Sequence, residues 1–260
     1  MDNNSAELFH VTCITGEDRN GTKAAIARES PVTIILNDKE LVTLLCSPTD
    51  LEYLAVGYLS SEGFLESKNE IKGVLVNNKS GVVRVQTTKD VHLEQENLYK
   101  RMITSGCGRG ASFYSMADIA TRKVESQIQV SANCVLELVR RFQLSSRIYI
   151  ETHGVHSAAL CDQKIILVFN EDIGRHNAVD KVFGRCLMEN ISTDDRMVIT
   201  SGRISSEIVH KVARRHIPIL VSISEPTNMG VRLAESLGIT LISSVRGRRM
   251  SIYTNDWRIQ

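Results

Sequence analysis

One cysteine stands in a setting that favours thiol chemistry. Residues 104–112 place three glycines around Cys107 and have little tendency to form a helix or a strand, so we expect a mobile loop. A reactive thiol needs a lowered pKa and access to its reaction partner. The glycines would allow close approach, and Arg109, together with Arg101, would stabilise a thiolate by its charge. The alternative is a loop cysteine without a chemical role.

A second segment, residues 171–181, is dense in ionisable side chains at a predicted strand–turn–helix junction. Gly174 permits the turn, and the free N–H groups at the start of the following helix can hold an anion. Arg175 and His176 would add donors for a phosphate or a carboxylate. The alternative is a capped helix with a surface charge network.

Residues 200–207 repeat this pattern of strand, glycine turn and helix start. Either Ser205 or Ser206 is a good candidate for the helix cap, and Arg203 lies beside a position that suits a phosphate. A third basic feature is the cluster at Arg246, Arg248 and Arg249, which encloses Gly247 between two predicted strands. It is either a solvated turn or a grip on a pyrophosphate or an acidic partner.

Two histidines, His153 and His156, are three residues apart and would suit a metal if they shared a helix. No Glu follows either of them directly, and the chain has no C-x-x-C pair. We therefore expect no metal ligand in this sequence. A loop or a helix start with one buried histidine explains the segment equally well.

The elements that must position these residues fall into two groups. In the first hundred residues a polar lead-in, residues 1–30, precedes a β-hairpin at residues 32–45. A helix through residues 47–61 and a second hairpin at residues 74–85 follow, so this part reads as a small α+β unit. We place its end at residue 103. Residues 104–127 are then the cysteine loop and its connector, and residues 128–260 form a second domain.

The second domain alternates apolar strands with amphipathic helices, as layered α/β sheets do. The predicted strands and helices are residues 133–142, 164–169, 176–188, 197–200, 205–215, 217–223, 228–237 and 239–243. Strand-to-helix turns of a parallel sheet gather on one edge, where ligands bind. The turns at His176 and Arg203 would then share an edge, and the sequence predicts a pocket there for a large phosphorylated cofactor.

Composition narrows the function further. The 31 Lys and Arg nearly balance the 30 Asp and Glu, for a net charge of +1, which argues against bulk nucleic-acid binding. The balance hides a basic C-terminal part: residues 196–260 hold ten Lys/Arg and four Asp/Glu, a net of +6. No signal peptide and no membrane-length apolar run is visible, so we expect a cytoplasmic protein without a membrane partner. Its six cysteines would stay reduced, and five of them read as buried packing residues.

Several of these motifs resemble the FdhD family of formate dehydrogenase accessory sulfurtransferases, and the resemblance covers nearly the whole chain. The matching segments are residues 29–32 and 47–50, 54–59 and 62–63, 104–108, 154–160, 171–181, 201–207 and 234–241, with Asn37. The resemblance implies a layered fold like that of cytidine deaminases, with a smaller N-terminal α+β unit, and a homodimer.

The resemblance also implies a sulfur relay. A cysteine desulfurase would pass sulfur to Cys107 as a persulfide, and the sulfur would move to the molybdenum cofactor, bis(molybdopterin guanine dinucleotide), for the formate dehydrogenase apoenzyme. The cofactor-binding stretch of the family falls on Ser244, Val245, Arg246, Gly247, Arg248 and Arg249. Two departures matter: Gly110 stands where many members have a second loop cysteine, and Ser244 where Phe is frequent.

Two other functions remain open from the residues. The protein could bind and deliver the cofactor as a chaperone, with no chemistry at Cys107. A zinc deaminase, which the implied fold suggests, would need a Glu proton shuttle and a P-C-x-x-C pair. Ser157 and Ala158 follow His156 instead.

Overall fold

The computed structural model describes residues 5–88 and 123–260, together with the backbone of two short paired strands, β7 (Met102–Ile103) and β8 (Ala111–Ser112). The described chain is a mixed α/β protein with several sheets and six helices. None of the helices in this part of the chain is both long and apolar enough to cross a bilayer.

The expectation that residues 1–30 are only a polar lead-in is wrong. This segment forms a two-stranded antiparallel ribbon of β1 (Ala6–Thr15) and β2 (Asp18–Ala27), which pair over their full lengths. Gly16, at φ +63°, makes the turn between them. The ribbon could not be predicted from the sequence because β2 is mostly polar. No residue of either strand is buried, so neither face of the ribbon shows a clear alternation of apolar and polar residues.

The N-terminal unit contains a four-stranded sheet in the order β4-β3-β6-β5. Its strands are β3 (Ser30–Leu36), β4 (Lys39–Cys46), β5 (Ile71–Asn77) and β6 (Val82–Thr87), and both predicted hairpins are confirmed. Helix α1 (Leu51–Ser61) lies on this sheet, and a short 3-10 helix (Lys68–Glu70) leads into β5. Ile34 and Leu54 are fully buried in the shared core.

The second sheet has six strands in the order β10-β9-β11-β12-β13-β14. They are β9 (His156–Cys161), β10 (Ile166–Asp172), β11 (Met197–Thr200), β12 (Ile219–Ser222), β13 (Thr240–Arg246) and β14 (Arg249–Thr254). β11, β12 and β13 are parallel neighbours, whereas β9 and β14 run antiparallel to theirs. The sheet is therefore mixed rather than parallel throughout.

Helices cover both faces of this sheet, and the predicted α/β class is confirmed. The helices are α2 (Ala132–Ser145), α3 (Arg147–Thr152), α4 (Arg175–Met188), α5 (Ser206–Arg214) and α6 (Asn228–Ser236), and a 3-10 helix (Asp256–Arg258) ends the chain. Successive strand residues serve opposite cores: Val198 packs with α4, α5 and α6, and Ile199 packs with α2. This follows from the two-residue repeat of a strand.

The two sheets are joined where α1 crosses α4. A Cβ at Gly57 would lie 1.8 Å from the Asp180 carbonyl oxygen, and one at Gly184 would lie 1.9 Å from that of Tyr53. Only glycine allows such close approach of the two backbones. Because Leu187 of α4 also belongs to the N-terminal core, the described parts of the two predicted units, residues 1–103 and 128–260, pack against each other. Their boundaries stay a prediction.

Candidate functional site at the carboxyl edge of the sheet

The edge of the six-stranded sheet gathers the polar segments that the sequence singles out. β10 and β11 both run antiparallel to β9, so their carboxyl ends lie on the same side as those of β12 and β13. The first residue of β9, His156, opposes Asp172 at the end of β10 and therefore lies on this edge too. We call this side the carboxyl edge, and open α/β sheets bind their ligands at such edges.

The turn after β10 is fixed by the buried carboxylate of Asp172. Its Oδ1 accepts hydrogen bonds from the Gly174 backbone N–H (2.8 Å) and the Asn177 side-chain amide (2.9 Å). Its Oδ2 lies 2.7 Å from Lys181 Nζ and accepts from the Ser47 backbone N–H (3.1 Å). The Asp172 and Lys181 side chains are both fully buried. This network holds the start of α4, and with it Arg175 and His176, in place.

The turn after β11 touches the turn after β10. A Cβ at Gly202 would lie 2.6 Å from Arg175 Cβ, so the glycine allows the two turns to meet. His176 Nε2 lies 3.5 Å from Glu207 Oε2 in the first turn of α5. The predicted placement of the His176 and Arg203 turns on one edge is therefore confirmed. Their role in binding stays a prediction.

Ser205 precedes α5 but does not cap it with its side chain. Its hydroxyl oxygen is buried and makes no hydrogen bond to any described residue. Buried polar groups are rarely left without a partner, and each exception needs an explanation. At a helix start beside Arg203, whose side chain is exposed, an anionic ligand would supply one.

A row of serines connects the strand ends along the edge. Ser201 Oγ accepts from the Ser157 backbone N–H (2.9 Å) and lies 3.2 Å from His156 Nδ1. Ser224 Oγ donates to the Ser201 carbonyl (2.8 Å), and Ser243 Oγ donates to the Ser224 carbonyl (2.8 Å). These bonds fix the ends of β11, β12 and β13 relative to each other.

The electrostatics of the edge keep its imidazoles neutral. Burial, with a contribution from Arg175, lowers the pKa of His156. Burial also lowers the pKa of His176 to about 3, and Lys211 and Arg175 add to the effect. Burial raises the pKa of the neighbouring Glu207. The positive charge that an anion would meet at neutral pH therefore comes from the arginines, not from the histidines.

A cavity of about 480 Å³ opens beside this row. That size is within the range of small-molecule sites. His153 and His156 both line it, but they do not share a helix: His153 follows the end of α3 at φ +52°, whereas His156 begins β9. The helical metal pair considered from the sequence is therefore not formed. The remaining lining residues are Phe142, Gln143, Ser146, Tyr149, Gly154, Val155, Ser157, Ile173, Ser201, Ile223 and Ser224.

The basic cluster near the C-terminus forms the tip of the β13–β14 hairpin. Arg246 pairs with Arg249 across the turn, and Gly247 makes the turn at φ +58°. Arg246, Gly247, Arg248 and Arg249 are all exposed. Because β13 ends on the carboxyl edge, this tip is two strands away from the turn that carries Arg203.

Val245 and Ser244, which precede that tip, are not exposed as the arginines are. Val245 is 2% exposed and packs in the core, so its side chain does not face a ligand. Ser244, at φ +57°, donates from Oγ to Glu225 Oε1 (2.5 Å), and Tyr253 Oη donates to the other oxygen (3.0 Å). These hydrogen bonds, with Arg246 nearby, lower the pKa of Glu225. Nothing in the sequence singles out Glu225 or Ser224, because their placement depends on distant strands.

The five cysteines in the described part of the chain divide into three groups. Cys46, Cys161 and Cys186 are buried, and burial raises the pKa of each thiol to about 12. The expectation of packing cysteines is confirmed for these three. It is wrong for Cys13, which is exposed on β1, and incomplete for Cys134, which is half-buried and donates to the Gln163 carbonyl. Cys107, with the loop predicted around it, lies outside the described residues.

Comparison with known proteins identifies the family. The FdhD/NarQ family model matches residues 27–260. A sulfur carrier protein FdhD of Bacillus subtilis is 42% identical over 233 residues, which are 89% of each chain. The protein of the same description from Staphylococcus aureus is 40% identical over 232 residues, 89% of this chain and 88% of its own.

A solved structure is also similar. The crystal structure of a protein from Desulfotalea psychrophila, described as a formate dehydrogenase accessory protein, superimposes with a TM-score of 0.80 at 27% identity. It covers 98% of this chain and 100% of its own. From the family match and the similar relatives together, the chain belongs to the FdhD/NarQ family.

Proposed function

We propose that this protein is a sulfur carrier. Cys107 accepts the outer sulfur of a cysteine desulfurase persulfide and passes it to the molybdenum cofactor, bis(molybdopterin guanine dinucleotide), which formate dehydrogenase needs. The observation that carries the proposal is the match to relatives named sulfur carrier proteins over about nine-tenths of the chain. We also propose the finer description of the fold, a cytidine-deaminase-like layering, and a cytoplasmic location, where thiols stay reduced.

The distribution of thiols supports Cys107 as the carrier. A sulfur carrier reacts as the thiolate, and a thiol with a pKa of about 12 is almost wholly protonated at neutral pH. That excludes Cys46, Cys161 and Cys186 from the role, and burial raises the pKa of Cys134 as well. Of the described cysteines only Cys13 is exposed, and no basic residue flanks it in sequence.

The carboxyl edge supports an anionic acceptor. The cofactor is the substrate that receives sulfur, and its phosphates carry negative charge. The unpaired hydroxyl of Ser205 and the start of α5 fit such an anion, as do Arg175 and Arg203. His176 would serve there as a neutral hydrogen-bonding group. Arg246, Arg248 and Arg249 would contact the cofactor from the hairpin tip, through side chains that are all exposed.

The sulfur step can be tested by intact-mass measurement. The protein is incubated with a cysteine desulfurase and L-cysteine, and we expect a gain of one sulfur atom that a thiol reductant removes. Cys107→Ser should abolish the adduct. The matched control Cys13→Ser should retain it, because it removes the exposed thiol and leaves Cys107 intact. An adduct that survives Cys107→Ser, or no adduct on the wild type, would overturn the proposal.

A cell-based assay separates the carrier from the cofactor chaperone. Cys107→Ser should fail to restore formate dehydrogenase activity to cells that lack the protein. If the variant restores activity fully, the protein delivers the cofactor without sulfur chemistry. Cys13→Ser again serves as the control.

A further inference from the structure

A carboxylate lies between two basic parts of the carboxyl edge, the turn that carries Arg203 and the tip of the β13–β14 hairpin. Glu225 follows the end of β12, which lies between β11 and β13 in the sheet, and its side chain is exposed. Its backbone carbonyl accepts from the N–H of Ile204, the residue after Arg203 (3.4 Å). Its side chain accepts hydrogen bonds from Ser244 and Tyr253 in the hairpin. Glu225 therefore adjoins both groups of side chains that the proposed function assigns to the anionic cofactor.

The carboxylate of Glu225 is held in one orientation. Oε1 accepts from Ser244 Oγ (2.5 Å) and Oε2 from Tyr253 Oη (3.0 Å), so donors from two strands fix both oxygens. The same hydrogen bonds, with Arg246 nearby, lower the pKa of Glu225 and keep it ionised at neutral pH. A surface glutamate ordinarily loses rotamer freedom when it binds a ligand, and this loss is smaller where the protein already orders the side chain.

Ser244 is itself held in an uncommon backbone conformation. Its φ of +57° is rare for a residue other than glycine, and such a conformation persists where the surrounding structure holds it. Here the Ser244 N–H donates to the Ser224 carbonyl (3.4 Å), which also accepts from Ser243 Oγ (2.8 Å). Phenylalanine, which is frequent in the family where this chain has Ser244, has no hydrogen-bond donor in its side chain. The hydrogen bond that orients Glu225 is therefore a consequence of this departure.

The ligand chemistry that suits Glu225 follows from its two oxygens and its neighbours. A carboxylate has about four acceptor positions and can accept two parallel N–H groups. The hydrogen bonds from the hairpin use one position on each oxygen. Parallel donors can come from a guanidinium, or from a heterocycle whose ring N–H lies beside an amino group. Because Arg203 and Arg246 lie on either side of Glu225 along the edge, a cationic guanidinium would be repelled. An anionic ligand that carries such a ring would be attracted.

We infer that Glu225 recognises the edge of an aminopyrimidinone ring, where a ring N–H and an exocyclic amino group donate side by side, one to each carboxylate oxygen. The inference rests on the proposed binding of the cofactor at the carboxyl edge and names the residue that selects its ring. The guanine bases and the pterin rings of that cofactor both present this edge. A hydrogen bond to a charged acceptor improves binding by about 10-fold to 100-fold.

The first test compares two nucleotides that differ at this edge. GDP and IDP carry the same ribose and phosphates, but IDP lacks the exocyclic amino group. We expect the full-length wild type to bind GDP at least about 10-fold more tightly than IDP, as measured by isothermal titration calorimetry. Glu225→Gln should lose most of this preference, because it weakens GDP more than IDP. Circular dichroism with thermal unfolding establishes that the variant is folded.

The matched control is Glu235→Gln, which removes the same charge at an exposed position in the last turn of α6. It should keep the preference for GDP. Loss of a negative charge alone would strengthen the binding of both anions, so weaker GDP binding by Glu225→Gln has the opposite sign to a general charge effect. Tyr253→Phe keeps the Glu225 charge but removes one of its two orienting donors, and it should reduce the preference by a smaller factor.

A pterin distinguishes the two possible sources of the ring. Hydroxymethylpterin presents the same edge without a ribose or a phosphate, and its fluorescence reports binding. A GDP preference that depends on Glu225 assigns the guanine base to this carboxylate. Pterin binding that Glu225→Gln abolishes, without a GDP preference in the wild type, assigns the pterin ring instead.

Three results would overturn the inference. The wild type could bind none of the three probes, or it could bind GDP and IDP equally while pterin binding does not depend on Glu225. Glu225→Gln could also weaken GDP and IDP by the same factor, which is what a purely structural role of the carboxylate predicts. Each of these results leaves the sulfur carrier proposal intact, because the sulfur adduct on Cys107 is measured separately by intact mass.

Discussion

Helix α4 connects two regions whose polar groups differ: the contact with α1, where they are paired within the protein, and the carboxyl edge, where some are not. Where its middle meets α1, buried charges are paired: Lys211 Nζ lies 2.6 Å from Asp180, which also accepts from Ser61 Oγ at 2.6 Å. Where its first turn meets the carboxyl edge, Arg203 is exposed and the buried hydroxyl of Ser205 makes no hydrogen bond to a described residue. At the α1–α4 junction the protein itself pairs these buried charges, whereas the carboxyl edge leaves polar groups available to a ligand.

The comparison shows how one helix can serve both stability and recognition. Asp172 and Lys181 belong to the closed network, but the turn they fix carries Arg175 and His176 to the edge. A polar group that faces a ligand cannot also be fully satisfied by the protein, so its stabilisation has to come from elsewhere. Here it comes from the α1–α4 junction.

The largest effect is expected at the buried ion pair of the junction. Asp180→Ala leaves the Lys211 ammonium buried without its carboxylate, and breaking such a pair costs about 3–5 kcal/mol of unfolding free energy. Urea unfolding followed by circular dichroism measures the loss. The double variant Asp180→Leu with Lys211→Met removes both charges and should recover most of it. Equal losses in the single and double variants would mean that the charge itself is not the cause.

The second prediction concerns the close approach of α1 and α4. Gly184→Ala would set a Cβ 1.9 Å from the Tyr53 carbonyl oxygen, so the helices must separate, and overpacking of this kind costs about 1–3 kcal/mol or more. Gly73→Ala is the matched control, because no atom lies within 4 Å of a Cβ at that position. Thermal unfolding of both variants measures the difference. Similar melting temperatures would show that the helix crossing tolerates a methyl group.

Of these two regions, the carboxyl edge could be predicted from the sequence. The turns that contain Gly174 and Gly202 follow apolar strands and precede amphipathic helices, so local pattern alone brings Arg175 and Arg203 to one edge. The junction could not be predicted in this way. The Ser47 N–H reaches Asp172 across 125 residues, and no local pattern specifies a contact at that separation.

The errors have a common physical cause. The β1–β2 ribbon has no buried face, so the alternation that reveals other strands is absent. Cys13 was expected to pack because cysteine is usually buried, but the ribbon that carries it has no core of its own. Val245 is a different case: the alternation of β13 directs its side chain into the core, so its predicted place in the cofactor site stays a prediction that concerns its backbone alone.

The smallest expected effect is a pH dependence that originates at the edge. The pKa of His176 is lowered from its ordinary 6.5 to about 3 in the folded protein. Between these values the unfolded chain binds a proton that the folded protein does not bind, so stability falls as the pH drops from about 6.5 towards 3. The lowered pKa values of His156 and His210 act in the same direction. One such group contributes at most about 1.4 kcal/mol per pH unit.

Urea unfolding of the wild type and His176→Gln at pH 7, 6 and 5 measures this effect. Glutamine cannot take up the proton, so the variant should lose less stability than the wild type between pH 6 and pH 5. The matched control is His216→Gln, which makes the same replacement at an exposed imidazole. Parallel slopes for the wild type and His176→Gln would contradict the assignment of this acid sensitivity to His176. The lowered pKa values of His156, on the same edge, and of His210 would then have to account for the acid response.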